Sequence, residues 1–309
     1  MFKVFIDGSA GTTGLKIVER LSSRKDIELI TLSEELRKDL SARKDALNSC
    51  DVAFLCLPDT AAIEAVSLIE NPNVKVIDTS TAHRVNEAWA YGFPELSGKR
   101  ELIKHSKRIA NPGCHASGFI ALIAPLIENK LISDDILLTS FSITGYTGGG
   151  KKMIAEYEDD KRPLLFDAPR QYGLTQKHKH LPEMTAICKL KNQPIFCPIV
   201  SDYDRGMEVT VPLFRKDING NIDDLKQIYS TVYNGKVVKY KENADESGLL
   251  SASSMRGRDD MEISVFGNED RILLVSRFDN LGKGASGAAI QNMNVILGVD
   301  ETTGLIIGE

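Results

Sequence analysis

The chain has 309 residues, enough for two domains with separate cores, and 42% of them are hydrophobic and 26% charged, as in a folded globular protein. A net charge of −5 without any basic run argues against nucleic acid as a partner. No apolar run approaches the roughly 18 residues of a membrane span. The five cysteines are odd in number and contain no C-x-x-C pair, which argues against a disulfide scaffold and a cysteine metal site. With the strand-like "FKVFI" at the start rather than a secretory signal, they point to free thiols in a reducing cytoplasm.

In chain order, the first half alternates. "FKVFI" (2–6) reads as a strand and 13–23 as a helix; "IELITL" (27–32) and "DVAFLCL" (51–57) read as strands. "TAAIEAVSLI" (60–69) is helical and "VKVID" (74–78) is again a strand. Apolar strands separated by helices predict an α/β fold with a Rossmann-type parallel sheet covered on both faces.

Between the first strand and helix lies "GSAGTTG". Gly8, Gly11 and Gly14 bring bare backbone and a helix N-terminus to a pyrophosphate, so Gly8, Ser9, Gly11, Thr12, Thr13 and Gly14 are assigned to a dinucleotide. The spacing is G-x-x-G-x-x-G rather than G-x-G-x-x-G, so the motif alone is weak. The second strand ends "TLSEELRKD". Ser33 and Arg37 suit a 2′-phosphate and favour NADP, whereas Glu34 suits the bare ribose of NAD. Pro58, in "CLPDTAA", falls at the sheet edge where the nicotinamide end is expected, and Arg84, in "DTSTAHR", is a candidate anion anchor.

The segment "RIANPGCHASGFIAL" (108–122) then sets Cys114 directly after a turn and at the first residue of an apolar helix. Unpaired N–H groups and the positive end of the helix dipole favour a thiolate there. Cys56, Cys188 and Cys197 sit in strand-like apolar runs and read as packed thiols, and Cys50 ends a polar helical segment. His115 is adjacent to Cys114, but neighbours on a helix do not face each other.

From about Ser133 the texture changes. "DILLTSFSITGY", "AICKLK", "PIFCPIV", "MEVTVPLF" and "RILLVSRF" read as strands of a mixed or antiparallel sheet in an α+β domain. Within it, "SITGYTGGGKKM" (142–153) offers backbone amides around Gly145–Gly150 for an oxyanion, with Tyr146 and Lys151 in reach. "QKHKHLPEM" (176–184) brings His178 and His180 to one face if extended. His180 is favoured as acid/base and His178 as a substrate-side group. No further Cys/His cluster completes a metal site. Residues 241–270 are polar and read as carrying loops, and "GASGAAIQNMNVILG" (284–298) reads as a helix of small residues.

The motifs "GSAGTTG", "DTSTAHR", "YGFPEL", "NPGCHASG", "SITGYTGGGKKM", "HKHLPEM" and "DNLGKGASGAAIQNMN" resemble, in order and spacing, the short form of the N-acetyl-γ-glutamyl-phosphate reductase family. That family is related to aspartate-semialdehyde and glyceraldehyde-3-phosphate dehydrogenases. The resemblance implies a nucleophilic Cys114, an acid/base histidine in "HKHLPEM", and Asn280 near the nicotinamide. Asn111 of "NPGC" is placed with Arg84, Tyr146 and His178 on the substrate side. It further implies NADPH-dependent acyl-phosphate reduction through a cysteine thioester in arginine biosynthesis. The expected domains are 1–113 plus 284–309 for NADP and 114–283 for catalysis and oligomerisation, in a homodimer or homotetramer without nucleic acid, membrane or metal. The alternatives are a reductase of aspartyl or aminoadipyl phosphate, a non-catalytic NADP-sensing protein, and a cysteine-independent hydroxy-acid dehydrogenase.

Overall fold

The computed structural model describes residues 1–308. In chain order the elements are β1 (Phe2–Asp7), α1 (Thr12–Leu21), β2 (Ile27–Ile30), α2 (Leu40–Ser49), β3 (Val52–Leu55), α3 (Asp59–Ser67) and β4 (Lys75–Asp78). There follow β5 (Ala90–Tyr91), α4 (Lys99–His105), β6 (Arg108–Ala110), α5 (Cys114–Glu128), β7 (Thr139–Gly145) and α6 (Gly150–Tyr157). Next come β8 (Arg170–Gln171), α7 (His180–Cys188), β9 (Ile195–Ser201), β10 (Met207–Phe214) and α8 (Ile222–Val232). The last are β11 (Val238–Tyr240), β12 (Met261–Gly267), β13 (Arg271–Phe278) and α9 (Gly287–Leu297).

The chain forms two compact units. The first comprises 1–94, 98–112 and 285–305, and the second 95–97, 113–284 and the residues from Ile306 on. The first unit is built on a parallel sheet ordered β2-β1-β3-β4-β6-β5. Its strands are apolar on both sides because each side is covered. Val4, Ile6, Val52 and Phe54 pack with Ile17, Leu21, Ile290 and Met293 of α1 and α9. Phe5, Ala53 and Leu55 pack with Ala46, Leu47, Ala62 and Ala65 of α2 and α3. This is the doubly wound arrangement read from the sequence, and β1 and β3 flank the switch point at whose carboxyl edge ligands bind.

The second unit carries a mixed sheet ordered β11-β12-β13-β10-β7-β9-β8. Its central β13, β10 and β7 run antiparallel, while β9 pairs with β7 in parallel. Helix α5 packs on β10 and β13 and against α7 and α8. It is apolar all round, with Phe119, Ile120, Leu122, Ile123 and Leu126 fully buried, as befits a helix enclosed on every side.

One expectation is corrected and one strand is added. "AICKLK" is not a strand: Leu181, Met184 and Cys188 recur at helical spacing and are buried in α7, which ends at Cys188 before Lys189 turns left-handed at φ 57°. Pro182 fits in its first turn because an N–H there has no intrahelical acceptor. Residues 241–260 carry the expected loops, and β12 follows them, between β11 and β13 in the sheet, with Met261–Val265 buried. Residues 95–97 belong to the second unit, where Glu95 clasps the buried Lys283 ammonium at 2.8 and 2.9 Å. The C-terminal residues from Ile306 do so as well: Ile306 exchanges bonds with Asp259, and Gly308 accepts from Lys239 Nζ.

Candidate active site

In the first unit, a cavity of about 590 Å³ opens at the carboxyl edge of β1 and β2. Its wall includes Gly8–Ala10 after β1, Thr31 and Leu32 after β2, Arg37 and Lys38, and Leu57 and Ala61 beyond β3. Gly8 has φ +85°, and a Cβ on it would stand 2.3 Å from the Cys56 carbonyl oxygen. Only glycine fits, and it leaves the backbone bare beside the start of α1. Arg43 lines the cavity too, a residue that sequence reasoning missed because "ARKDAL" reads as a solvated helix face. Its buried guanidinium donates to Asp7 at 2.9 and 3.1 Å and to Glu64 at 3.1 Å.

Not every residue assigned to the dinucleotide lines this cavity. Gly8, Ser9 and Arg37 do; Gly11, Thr12, Thr13 and Gly14 form the turn and first residues of α1 behind it. Ser33 is exposed and donates to Glu35, and Arg37 pairs with Glu34. Pro58 caps α3, while Leu57 and Ala61 reach the wall. Arg84 is buried, with Nε on the Asn111 carbonyl and a terminal nitrogen on that of Thr79, both at 3.0 Å. Asn111 donates to the Ala285 carbonyl and accepts from Asn292. The two therefore brace the ends of β4 and β6.

The second unit holds the thiol. Cys114 is the first residue of α5, as its sequence context predicts, and Gly113 caps the helix with extended backbone (φ −79°, ψ 148°). The first bond of the helix runs from Ser117 N–H to the Gly113 carbonyl, so the amides of Cys114, His115 and Ala116 lie in the turn that lacks intrahelical acceptors. The turn is anchored by Glu183 of α7, buried, whose Oε1 accepts from Gly113 N–H at 2.8 Å. Gly284 lies against Cys114: a Cβ there would be 3.0 Å from the cysteine Cβ. Burial pushes the Cys50 and Cys56 thiols up to about 12 and raises that of Cys188 further, so these three are inert.

The histidines gather at the same helix start. His178 and His180 meet edge to face at 4.7 Å, and their rings lie 6.0 and 5.7 Å from that of His115. The segment is not extended as expected. Gln176 is left-handed at φ 54°, and His180 opens α7 with its N–H on His178 Nδ1 at 3.2 Å. His180 is buried and His178 half-buried. His115 is held between Ser142 Oγ (2.6 Å from Nδ1) and Tyr172 Oη (2.7 Å from Nε2). Its burial, and then the proximity of His178, lower its pKa to about 3.

A buried neutral histidine makes the fold acid-sensitive. Below 6.5 the unfolded chain takes up a proton that folded His115 refuses, so stability present above that pH is lost progressively down to about 3. The loss on this account is about 1.4 kcal/mol per pH unit. Urea unfolding at a series of pH values should therefore show a shallower acid decline in His115→Asn than in the parent; parallel declines would contradict it.

The glycine turn behaves differently from expectation. The N–H groups of Gly145, Tyr146 and Thr147 bond to carbonyls of Gly206, Tyr203 and Asp204, so they are not open to an oxyanion. Tyr146 stacks on Tyr157 at 4.9 Å, and Lys151 is exposed. Asn280 is buried, accepting from Gly206 N–H at 2.9 Å and donating to Thr147 Oγ1 at 3.0 Å. It locks the turn to the segment before β10. Tyr172 was missed because it lies in no motif with a chemical signature, whereas Ser142 stood in "SITGYTGGGKKM" and Glu183 in "HKHLPEM", both unassigned.

A family model described as semialdehyde dehydrogenase, NAD binding domain, matches residues 3–106, and one described as semialdehyde dehydrogenase, dimerisation domain, matches 114–280. The chain is 46% identical to the N-acetyl-γ-glutamyl-phosphate reductases of Brucella ovis and Brucella abortus, over 96% of its length and 99% of theirs. The chain belongs to the N-acetyl-γ-glutamyl-phosphate reductase family. The solved aspartate semialdehyde dehydrogenase II of Vibrio cholerae shares the fold of this family member, with a TM-score of 0.71 at 14% identity over 96% of this chain and 98% of that one. Among the described residues, no helix is long and apolar enough to cross a membrane and no His/Cys/Asp/Glu group is suited to a metal.

Proposed function

We propose that the chain reduces N-acetyl-γ-glutamyl phosphate to N-acetylglutamate 5-semialdehyde and phosphate, with NADPH as reductant, in arginine biosynthesis. The observation that carries this reading is Cys114 at the start of α5, with its turn held by Glu183 and the rings of His178 and His180 within 6.0 Å of that of the adjoining His115, in a chain of this family.

Cys114 thiolate, favoured by the helix N-terminus, attacks the acyl carbon; collapse of the tetrahedral adduct expels phosphate and leaves a thioester on sulfur. His180 holds the thiolate, and after reduction it donates a proton to the developing oxyanion or returns one to sulfur. NADPH, when bound, supplies the hydride that converts the thioester to the aldehyde level. His178 stands on the substrate side with Tyr146, and Arg84 and Asn111 serve through the strand ends they brace.

The cavity in the first unit fits a dinucleotide. The Gly8–Ala10 backbone beside α1 suits the pyrophosphate, and Thr31, Arg37 and Lys38 beyond β2 suit a 2′-phosphate. Ser33 and Pro58 flank it, and the turn Gly11–Gly14 shapes it; Asn280 is assigned to the nicotinamide side by family likeness. Arg37→Ala is expected to raise KM for NADPH by about tenfold and to leave KM for NADH within about twofold. Equal changes for the two cofactors would refute the 2′-phosphate assignment.

The units found here support a nucleotide-binding first domain and a catalytic second one. One face of the mixed sheet leaves Phe141, Ile195, Phe214 and Leu273 exposed, although α5 covers the other. A second copy of the chain on that face, in a homodimer or homotetramer, accounts for so apolar a surface on a dimerisation domain. Five free cysteines suit a reducing cytoplasm. The activity is tested in reverse: N-acetylglutamate semialdehyde with NADP⁺ and phosphate should give NADPH. No turnover with it, but turnover with aspartate or aminoadipate semialdehyde, would transfer the chain to another acyl phosphate.

A further inference from the structure

His115 sits beside the nucleophile, yet the mechanism leaves it idle. Its two ring nitrogens are nevertheless both engaged, by Ser142 Oγ at 2.6 Å and Tyr172 Oη at 2.7 Å. A neutral imidazole carries one N–H, so the three groups have only two consistent hydrogen-bond directions. In one, Tyr172 donates to Nε2 and His115 Nδ1–H donates to Ser142, which leaves Tyr172 presenting lone pairs. In the other, Ser142 donates to Nδ1 and Nε2–H donates to Tyr172 Oη, which leaves the phenol O–H free to donate onward.

Tyr172 stands at the start of α5: its Oη is 2.7 Å from Nε2 of His115, the residue directly after Cys114, and its ring is 6.0 Å from that of His178. Burial first, and then the Cys114 charge, raise its pKa. An anion there selects the second direction, because lone pairs would repel it and an O–H stabilises it. The position of the chain fits: Tyr172 follows β8, Ser142 lies in β7, and His115 directly follows Cys114 in α5. We propose that Ser142, His115 and Tyr172 form an uncharged relay whose terminal hydroxyl stabilises the anion at Cys114, and that Tyr172 is a further active-site donor of this enzyme. No proton is lost or gained along the relay; it only sets which way the Tyr172 O–H points. His115, buried and neutral, is the positioning residue that makes this possible without adding a charge that would pair with the thiolate.

The inference rests on Cys114 being the nucleophile, and its test reads the thiol directly, without substrate or cofactor. The titratable groups around the start of α5 are His178, His180, Tyr172, Glu183 on the Gly113 amide, and Asp279, whose carboxylate is paired with Arg205 at 2.8 Å. All of them stay in place in the variants, apart from the one changed. The rate of Cys114 carbamidomethylation by iodoacetamide is followed by peptide mass spectrometry across pH in the parent, Tyr172→Phe, Ser142→Ala and Ser142→Thr. The expected result is a midpoint raised by about one pH unit in Tyr172→Phe, a tenfold loss of thiolate at fixed lower pH. Ser142→Ala should shift it in the same direction by less, and Ser142→Thr should restore it. Profiles of Tyr172→Phe and Ser142→Ala that superimpose on the parent would overturn the relay. A parent Cys114 no more reactive than Cys197 would overturn the nucleophile assignment itself, and the relay with it.

Discussion

Cys114→Ser is expected to lower kcat by about 10⁴-fold or more while leaving NADPH affinity within about twofold. A hydroxyl at the start of α5 has the same position and dipole, but its pKa is far too high for the helix terminus to ionise it. The chemistry also requires sulfur: the enzyme must form an acyl intermediate reactive enough to accept hydride, and an oxygen ester is a poorer acceptor than a thioester. The three cysteines whose burial raises their thiols, Cys50, Cys56 and Cys188, provide the control. Serine at Cys56 should leave kcat within about threefold. Steady-state kinetics with a direct titration of NADPH fluorescence separates the two parameters. Loss of cofactor affinity in step with kcat would mean that the substitution damages the fold rather than the chemistry.

His180→Asn is the second large effect, with kcat expected to fall by about 10²–10⁴-fold and its pH profile to lose one limb. His178→Asn should act mainly on KM, by about tenfold, because its Nδ1 already accepts from the His180 amide and its ring is half-buried at the edge of the cluster. The two rings touch at 4.7 Å, so each substitution perturbs the other, and the split between kcat and KM is the discriminating quantity. If His178→Asn abolished the limb and His180→Asn left it intact, the roles would be exchanged.

The first unit was legible because its signals are local. Apolar runs of strand length, helical spacing between them and a glycine turn after β1 each follow from a few neighbouring residues. The helix-start position of Cys114 was legible for the same reason: Asn-Pro-Gly stops the chain, and Cys114 opens the helix. What escaped was set by distant pairing. β12 hides among charged residues because its buried pattern reflects β11 and β13 on either side. "AICKLK" alternates like a strand but is fixed by the helix that starts at His180. Arg84 and Asn111 read as anchors, and their bonds to the carbonyls of Asn111 and Ala285, 27 and 174 residues on, could not be read from local spacing. The Glu183 carboxylate is 70 residues from the amide that it holds, so no spacing rule connects them.

The most direct measurement omits phosphate. Enzyme, NADP⁺ and N-acetylglutamate semialdehyde are mixed, NADPH is followed through the first turnover, and the protein is then digested for peptide mass. The account expects a burst of about one NADPH per subunit and an N-acetylglutamyl adduct on the peptide carrying Cys114; added phosphate should remove the adduct as the acyl phosphate and restart NADPH formation. Steady NADPH formation without phosphate, or a burst with no mass added at Cys114, would contradict a thioester route through this cysteine.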